Sequence, residues 1–188
     1  MDRRLGTGAG GGTVASRAAA VAQEQLRLRV EKLRHVSLLV DLHANEEALG
    51  ALAAIMEDRV FSPGATILEE GAVGSELFIL ISGEVDIFKS TPEGDPFKVA
   101  VLSGERCPVF GESGLIESEP RSATIRSASE AVCLVLDRPG FDHFCEVHPQ
   151  WALMIYRRIA QAVLGRFKKA NDDLMLLYKA LMAEIRGI

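Results

Sequence analysis

The chain has 188 residues, 48% of them hydrophobic, and a formal net charge of −5 at neutral pH. That length suits one domain with appended helices, and the acidic balance excludes a chain whose main task is coating nucleic acid, which calls for a clustered basic face. No run approaches the roughly 18 apolar residues of a membrane span, and no apolar signal stretch opens the chain.

In chain order, residues 1–16 are small and glycine-rich and predict a flexible tail. Gly6, Gly8 and Gly11 spell GxGxxG, but a dinucleotide site needs a strand before it and a helix after it, and neither pattern flanks it. Residues 17–58 predict N-terminal helices. Leu26, Val30, Leu33 and Val36 share a face in the first, and Asn45 caps the second ahead of Glu46 and Glu47, with Leu49, Leu52, Ala53 and Met56 turned inward.

At Phe61 the period changes to two. Short apolar-alternating runs follow at Thr66–Glu69, Glu76–Ser82, Val85–Lys89, Phe97–Leu102, Ser122–Ser127 and Ala131–Asp137, with Phe97, Val99 and Val101 the cleanest alternation. The fold class expected for residues 59–140 is mainly β with flanking helices, an antiparallel β-roll or jelly roll. Metal-dependent jelly-roll enzymes need histidines on adjoining strands, and this strand region has none. His143, Cys145 and His148 come after the strands at a poor spacing for two ligands on one helix face, so surface or capping roles are expected and no metal site is assigned.

Residues 141–188 predict C-terminal helices that serve as a lid, a dimer contact or both. Trp151, Met154, Ile155, Ile159, Val163, Phe167, Leu174, Leu177, Leu181 and Ile185 trace a long stripe. It packs either on the body of the domain or on a second copy, and its near seven-residue repeat favours a homodimer. Arg157, Arg158, Arg166, Lys168 and Lys169 form a basic set best read as exposed helix-face charge. Cys107, Cys133 and Cys145 match neither a disulfide framework nor a metal spacing and fit a reducing cytoplasm.

The chemistry concentrates in residues 110–127. Gly111 can adopt angles closed to other residues, and Glu112–Ile116 can make one helical turn whose first amides face an anion. Arg121 supplies a planar fork that pairs two phosphate oxygens, with Ser122 and Ala123 adding donors beside it. Glu112 only accepts at neutral pH, so next to a phosphate its fitting partner is a sugar hydroxyl. Together they suit a ribose phosphate, although a simple surface ion pair between Glu112 and Arg121 is the plainer alternative. Ser113 lacks a nucleophile-elbow spacing and a nearby histidine, and no catalytic motif is present, so no enzyme activity is expected.

These residues resemble the phosphate-binding cassette of the cyclic-nucleotide-binding domain family, which includes catabolite activator proteins, kinase regulatory subunits and nucleotide-gated channels. Phe61, Pro63, Gly64, Ile67, Glu70 and Gly71 match the family's first strands, Leu77, Ile79, Ser82, Gly83, Glu84 and Val85 match its central hairpin, and coverage runs from about Val36 to about His148. The resemblance implies a cyclic AMP or cyclic GMP site at Phe110, Gly111, Glu112, Ser113, Arg121, Ser122 and Ala123. Glu112 would take the ribose hydroxyl and Arg121 the cyclic phosphate, with no cofactor. Serine at 122 resembles the bacterial activator, which prefers cyclic AMP, although its hydroxyl could also bond guanine. Glu105-Arg106-Cys107-Pro108-Val109 is an enlarged loop before the cassette. No helix-turn-helix pattern follows the module, so direct DNA reading is not expected. The function implied is a cyclic-nucleotide receptor whose C-terminal helices move on binding. The alternatives are a ligand-free interaction scaffold and a regulatory subunit acting on an enzyme in trans.

Overall fold

From residue 57 to residue 137 the chain alternates side chains between two apolar layers, and this builds two stacked antiparallel sheets. The computed structural model describes residues 11–186, and side chains from residue 16 on. One sheet has the order β1 (Glu57–Phe61), β8 (Ala131–Asp137), β3 (Glu76–Ser82) and β6 (Val109–Phe110). The other has β2 (Thr66–Leu68), β7 (Thr124–Ser127), β4 (Glu84–Ser90) and β5 (Pro96–Ser103).

β3 and β8 pair from Glu76 opposite Asp137 to Ser82 opposite Val132. Phe78, Leu80, Ala131, Cys133 and Val135 fill the space between the sheets, while Leu77, Ile79, Leu134 and Leu136 point into a helical layer. Burial on both faces is why these two strands read as near-continuous apolar runs. The helical layer contains α1 (Gly11–Leu33), a 3-10 helix at Ser37–Leu42, α2 (Glu46–Ala54), the short α3 (Ser113–Ile116), α4 (Arg138–Val147) and the start of α5 (Pro149–Arg186). Asn45 caps α2 by accepting from the Ala48 amide at 3.0 Å, and Asp137 caps α4 by accepting from Gly140 at 2.9 Å. Arg29 of α1 closes the other end of α2, donating to the Met56 carbonyl at 2.7 Å and, through Nε, to Asp58 at 2.9 Å.

Four features differ from the sequence expectation. α1 begins at Gly11, inside the stretch read as tail, whereas Gly6 and Gly8 lie outside the described residues. β1 starts at Glu57, because a strand of Glu, Asp and Arg on a sheet edge carries little apolar alternation. β6 has two residues, too few for any period. In β5, Val101 lies opposite Asp86 but Phe97 lies opposite Lys89, so one extra residue sits in this edge strand. The bulge puts Phe97 and Val101 on opposite faces, and Phe97, Val99 and Val101 are all exposed.

α5 is 38 residues long, yet only Trp151, Ala152, Ile155 and Ile159 are buried. Val163, Phe167, Leu174, Leu177, Leu181 and Ile185 are exposed, so the stripe does not fold back onto the described body. No helix among the described residues is long and apolar enough to cross a membrane. All three cysteines are unbridged, and burial between the sheets pushes the Cys133 thiol up to about 12.

Arg158 ties α5 to the 3-10 helix, its Nε donating to Asp41 at 2.8 Å. That bond holds the Asp41 carboxyl below its ordinary value of 3.8. A carboxylate with a depressed folded pKa contributes stability above its unfolded pKa and loses it as pH falls through the folded value. The link between α5 and the 3-10 helix is therefore expected to persist from neutral pH down past 3.8. Carbon-detected NMR titration of Asp41 checks this, and a midpoint at or above 3.8 contradicts it.

Candidate functional site

β6 ends at Phe110, whose ring stacks on Phe78 with centroids 5.4 Å apart and anchors the cassette in the core between the sheets. Gly111 follows at φ 75, a left-handed angle that turns the chain sharply off the strand. Glu112 returns to helical angles and α3 begins. The Gly114 amide donates to Gly111 O at 3.0 Å and the Leu115 amide to Glu112 O at 3.2 Å. Of the amides expected to face an anion, only those at the very start of the turn escape internal bonding.

The chain then loops back beside the β2–β3 connection, where Val73 bridges Pro120. The Arg121 amide donates to Ala72 O at 2.8 Å, and Gly71 donates to Arg121 O at 2.9 Å. With its backbone pinned, Arg121 sends its side chain inward and is only 6% exposed. Nη1 donates to Gly111 O at 2.9 Å and Nη2 to Glu76 O at 2.8 Å, while the buried Nε has no partner.

The guanidinium lies in a slot built from residues without side chains. A Cβ at Gly74 would sit 2.7 Å from Nη2 and 2.8 Å from Nε, and one at Gly114 would sit 2.8 Å from Nη1. Desolvation holds the guanidinium below its ordinary pKa, partly offset by the more distant charges of Glu76 and Glu112. Among the described residues it forms no ion pair, and its bonds go only to neutral carbonyls. A buried cation with an idle donor and no counter-ion is unfavourable, and an anion at this point would relieve it.

The slot makes a testable demand on Gly74. Gly74→Ala is expected to cost about 1 to 3 kcal/mol through overpacking against the guanidinium. Gly50→Ala, where nothing lies within 4 Å, is expected to be neutral or stabilising. Urea unfolding compares the two, and equal midpoints would show that the slot is not tight.

The structure gathers Phe110, Gly111 and Arg121 and leaves Glu112 bonded elsewhere. Its carboxylate, only 14% exposed, pairs with Arg166 of α5 instead of Arg121. The plain Glu112–Arg121 ion pair is thus absent among the described residues. Ser113 and Ser122 are exposed, and Ala123 is half-buried. Arg166, read from the sequence as helix-face charge, was missed. Ile155, Ile159, Ala162 and Arg166 continue one helical row by steps of four, three and four, and that row was the available signal.

Pro108 and Val109 of the enlarged loop join Glu112, Ile159, Ala162 and Arg166 around a groove of about 510 Å³. Arg121 does not line it. Within that loop Cys107 is buried at φ 45, and Pro108 O accepts from the Leu80 amide at 3.0 Å, which extends the first sheet toward the cassette. Elsewhere, the His148 ring stacks on Trp151 at 4.3 Å, and His143 is exposed beside Glu146. Among the described residues no three His, Cys, Asp or Glu side chains gather as a metal site.

Residues 58–148 match the family described as cyclic nucleotide-binding domain. The chain is 31% identical over 119 residues to cGMP-dependent protein kinase, isozyme 1, of Drosophila melanogaster, covering 63% of this chain and 15% of the kinase. It is 33% identical over 120 residues to the cAMP-dependent protein kinase regulatory subunit of Aspergillus fumigatus, covering 64% of this chain and 27% of that subunit. The chain therefore spans well under half the length of these relatives. Among solved structures, the catabolite activator protein of Thermus thermophilus is 26% identical, with a TM-score of 0.65 over 75% of this chain and 63% of that one. A cyclic nucleotide-binding domain from Methylobacillus flagellatus shares the fold at 22% identity, with a TM-score of 0.68 over 82% of this chain and 84% of that one.

Proposed function

We propose that residues 58–148, a cyclic nucleotide-binding domain, receive a cyclic nucleotide at the cassette and pass the event to α5. The observation that carries this is Arg121: a buried guanidinium in a glycine slot, with an idle Nε and no counter-ion. A cyclic phosphate supplies the missing negative charge and accepts from that donor. Glu112, two residues past the stacked Phe110, is placed to accept from a ribose hydroxyl once its side chain turns toward Arg121. Ser122 is exposed next to the slot, and its hydroxyl can accept from the guanine amino group, so cyclic AMP and cyclic GMP are both candidate ligands.

The output is mechanical rather than catalytic. Leu115 is buried under the cassette among side chains of α4 and α5, so movement of the cassette turn reaches the C-terminal helices through packing. Beyond Ile159, α5 offers Val163, Phe167, Leu174, Leu177 and Leu181 to a second copy or to a regulated protein, and its near-heptad spacing supports a homodimer. Unbridged thiols support a cytoplasmic setting.

A scaffold without ligand is the second reading. It is favoured by one observation: both cassette groups already have protein partners, Arg121 on two carbonyls and Glu112 on Arg166. Thermal shift against a nucleotide panel decides between them. A ligand raises the midpoint by about 2 to 4 °C for each kcal/mol of linked binding, and no rise with cyclic AMP or cyclic GMP leaves the scaffold.

A further inference from the structure

The Glu112–Arg166 pair joins the residue that would hold the ribose to the part of α5 that leaves the body of the domain. The geometry points to Arg166 as a latch that competes with ligand: we propose that ribose capture by Glu112 breaks the pair and frees α5 beyond Ile159. The idea rests on the nucleotide-receptor reading above and adds to it the group displaced and the segment released.

Two observations support competition over sharing. The Glu112 carboxylate lies on the groove side of the cassette with Pro108, Val109 and Ala162, a groove that Arg121 does not line. Glu112 is paired with Arg166 and makes no ion pair with Arg121, although its charge reaches the guanidinium. In this scheme the Glu112 side chain gives up Arg166 in order to meet a sugar whose phosphate sits at Arg121.

Release has a defined consequence. Arg166 forms the most C-terminal ion pair of α5 among the described residues, and residues 160–181 are exposed throughout. With the latch open, α5 is held only by its first three turns, through Trp151, Ala152, Ile155, Tyr156 and Ile159 and the Arg158–Asp41 pair. The segment past residue 160 then becomes an arm about 40 Å long at 1.5 Å per residue, able to reorient as a lever. Gly165, the poorest helix former near the latch apart from proline, precedes Arg166 and has open space around it.

The test measures cyclic AMP and cyclic GMP affinity by calorimetry, and amide exchange of residues 160–180, on the full chain and its variants. Arg166 is 63% exposed, so its variants fold. Removing a partly exposed competitor in Arg166→Ala is expected to tighten binding about two- to fivefold, and Arg166→Lys to stay near wild type. In the wild type, ligand should speed exchange across 160–180; in Arg166→Ala, exchange should already be fast without ligand.

Unchanged or weaker binding in Arg166→Ala overturns the latch, as does ligand-induced slowing of exchange in that segment. These outcomes leave the receptor reading intact as long as Arg121→Ala abolishes or weakens binding. Absence of any nucleotide binding by the wild type overturns both.

Discussion

Arg121→Ala is expected to weaken cyclic nucleotide binding by about 1.5 to 3 kcal/mol, roughly ten- to hundredfold in calorimetric titration. The size follows from what the side chain offers. Its guanidinium is buried, its Nε is idle, and its fork is bonded only to the carbonyls of Gly111 and Glu76. A phosphate arriving there gains a charge-assisted bond in a site that excludes water, and such bonds are about twice as strong as neutral ones. Arg121→Lys keeps the charge but not the planar fork, and is also expected to bind poorly. Because the alanine variant takes a donor away from the carbonyls of Glu76 and Gly111, the second of which keeps only the Gly114 amide, its stability falls as well. The comparison therefore belongs at a temperature where urea titration shows the variant fully folded. Equal affinity of folded wild type and variant would remove Arg121 from the site.

Leu115→Ala is expected to cost about 2 to 5 kcal/mol of folding stability, the usual range for a buried leucine. Leu115 is 1% exposed and packs beside Leu77, Ile79, Leu136, Phe141 and Ile155. It lines a small existing void with Leu39, Leu52 and Met56, so truncation enlarges a cavity rather than creating one that neighbours can close. Its neighbour Ile116 is 47% exposed, and Ile116→Ala is expected to change stability by no more than about 0.5 kcal/mol. Urea unfolding reads both, and similar midpoints would show that the cassette is not packed into the helical layer. Leu115, unlike Arg121, touches no ligand in this scheme. A shortened side chain there is expected to blunt the response of α5 more than the affinity.

Much of the architecture was legible because the physical cause was local. The Asn45 cap followed by Glu46 and Glu47 marked α2, and the structure shows that cap. Six strands announced themselves as short runs between turns, although β3 and β8, read as alternating, are nearly continuous apolar stretches because both of their faces are buried. What escaped was what depends on pairing. β1 is an edge strand of charged residues, β6 is two residues long, and the β5 bulge appears only when Val101 and Phe97 are matched to their partners on β4.

The candidate site divides along the same line. Composition and spacing alone determined which residues could serve a sugar phosphate: a glycine able to turn the chain, a carboxylate that only accepts, and an arginine with a planar fork. These are properties of single residues and short stretches, so they are present in the chain before it folds. Tertiary structure alone decided that Arg121 is sunk among Gly74, Gly111 and Gly114, and that Glu112 faces Arg166, 54 residues later in the chain. Which charges meet depends on how a helix leaves the domain and which row of its side chains faces inward. That is settled by packing over the whole fold, and no local pattern encodes it.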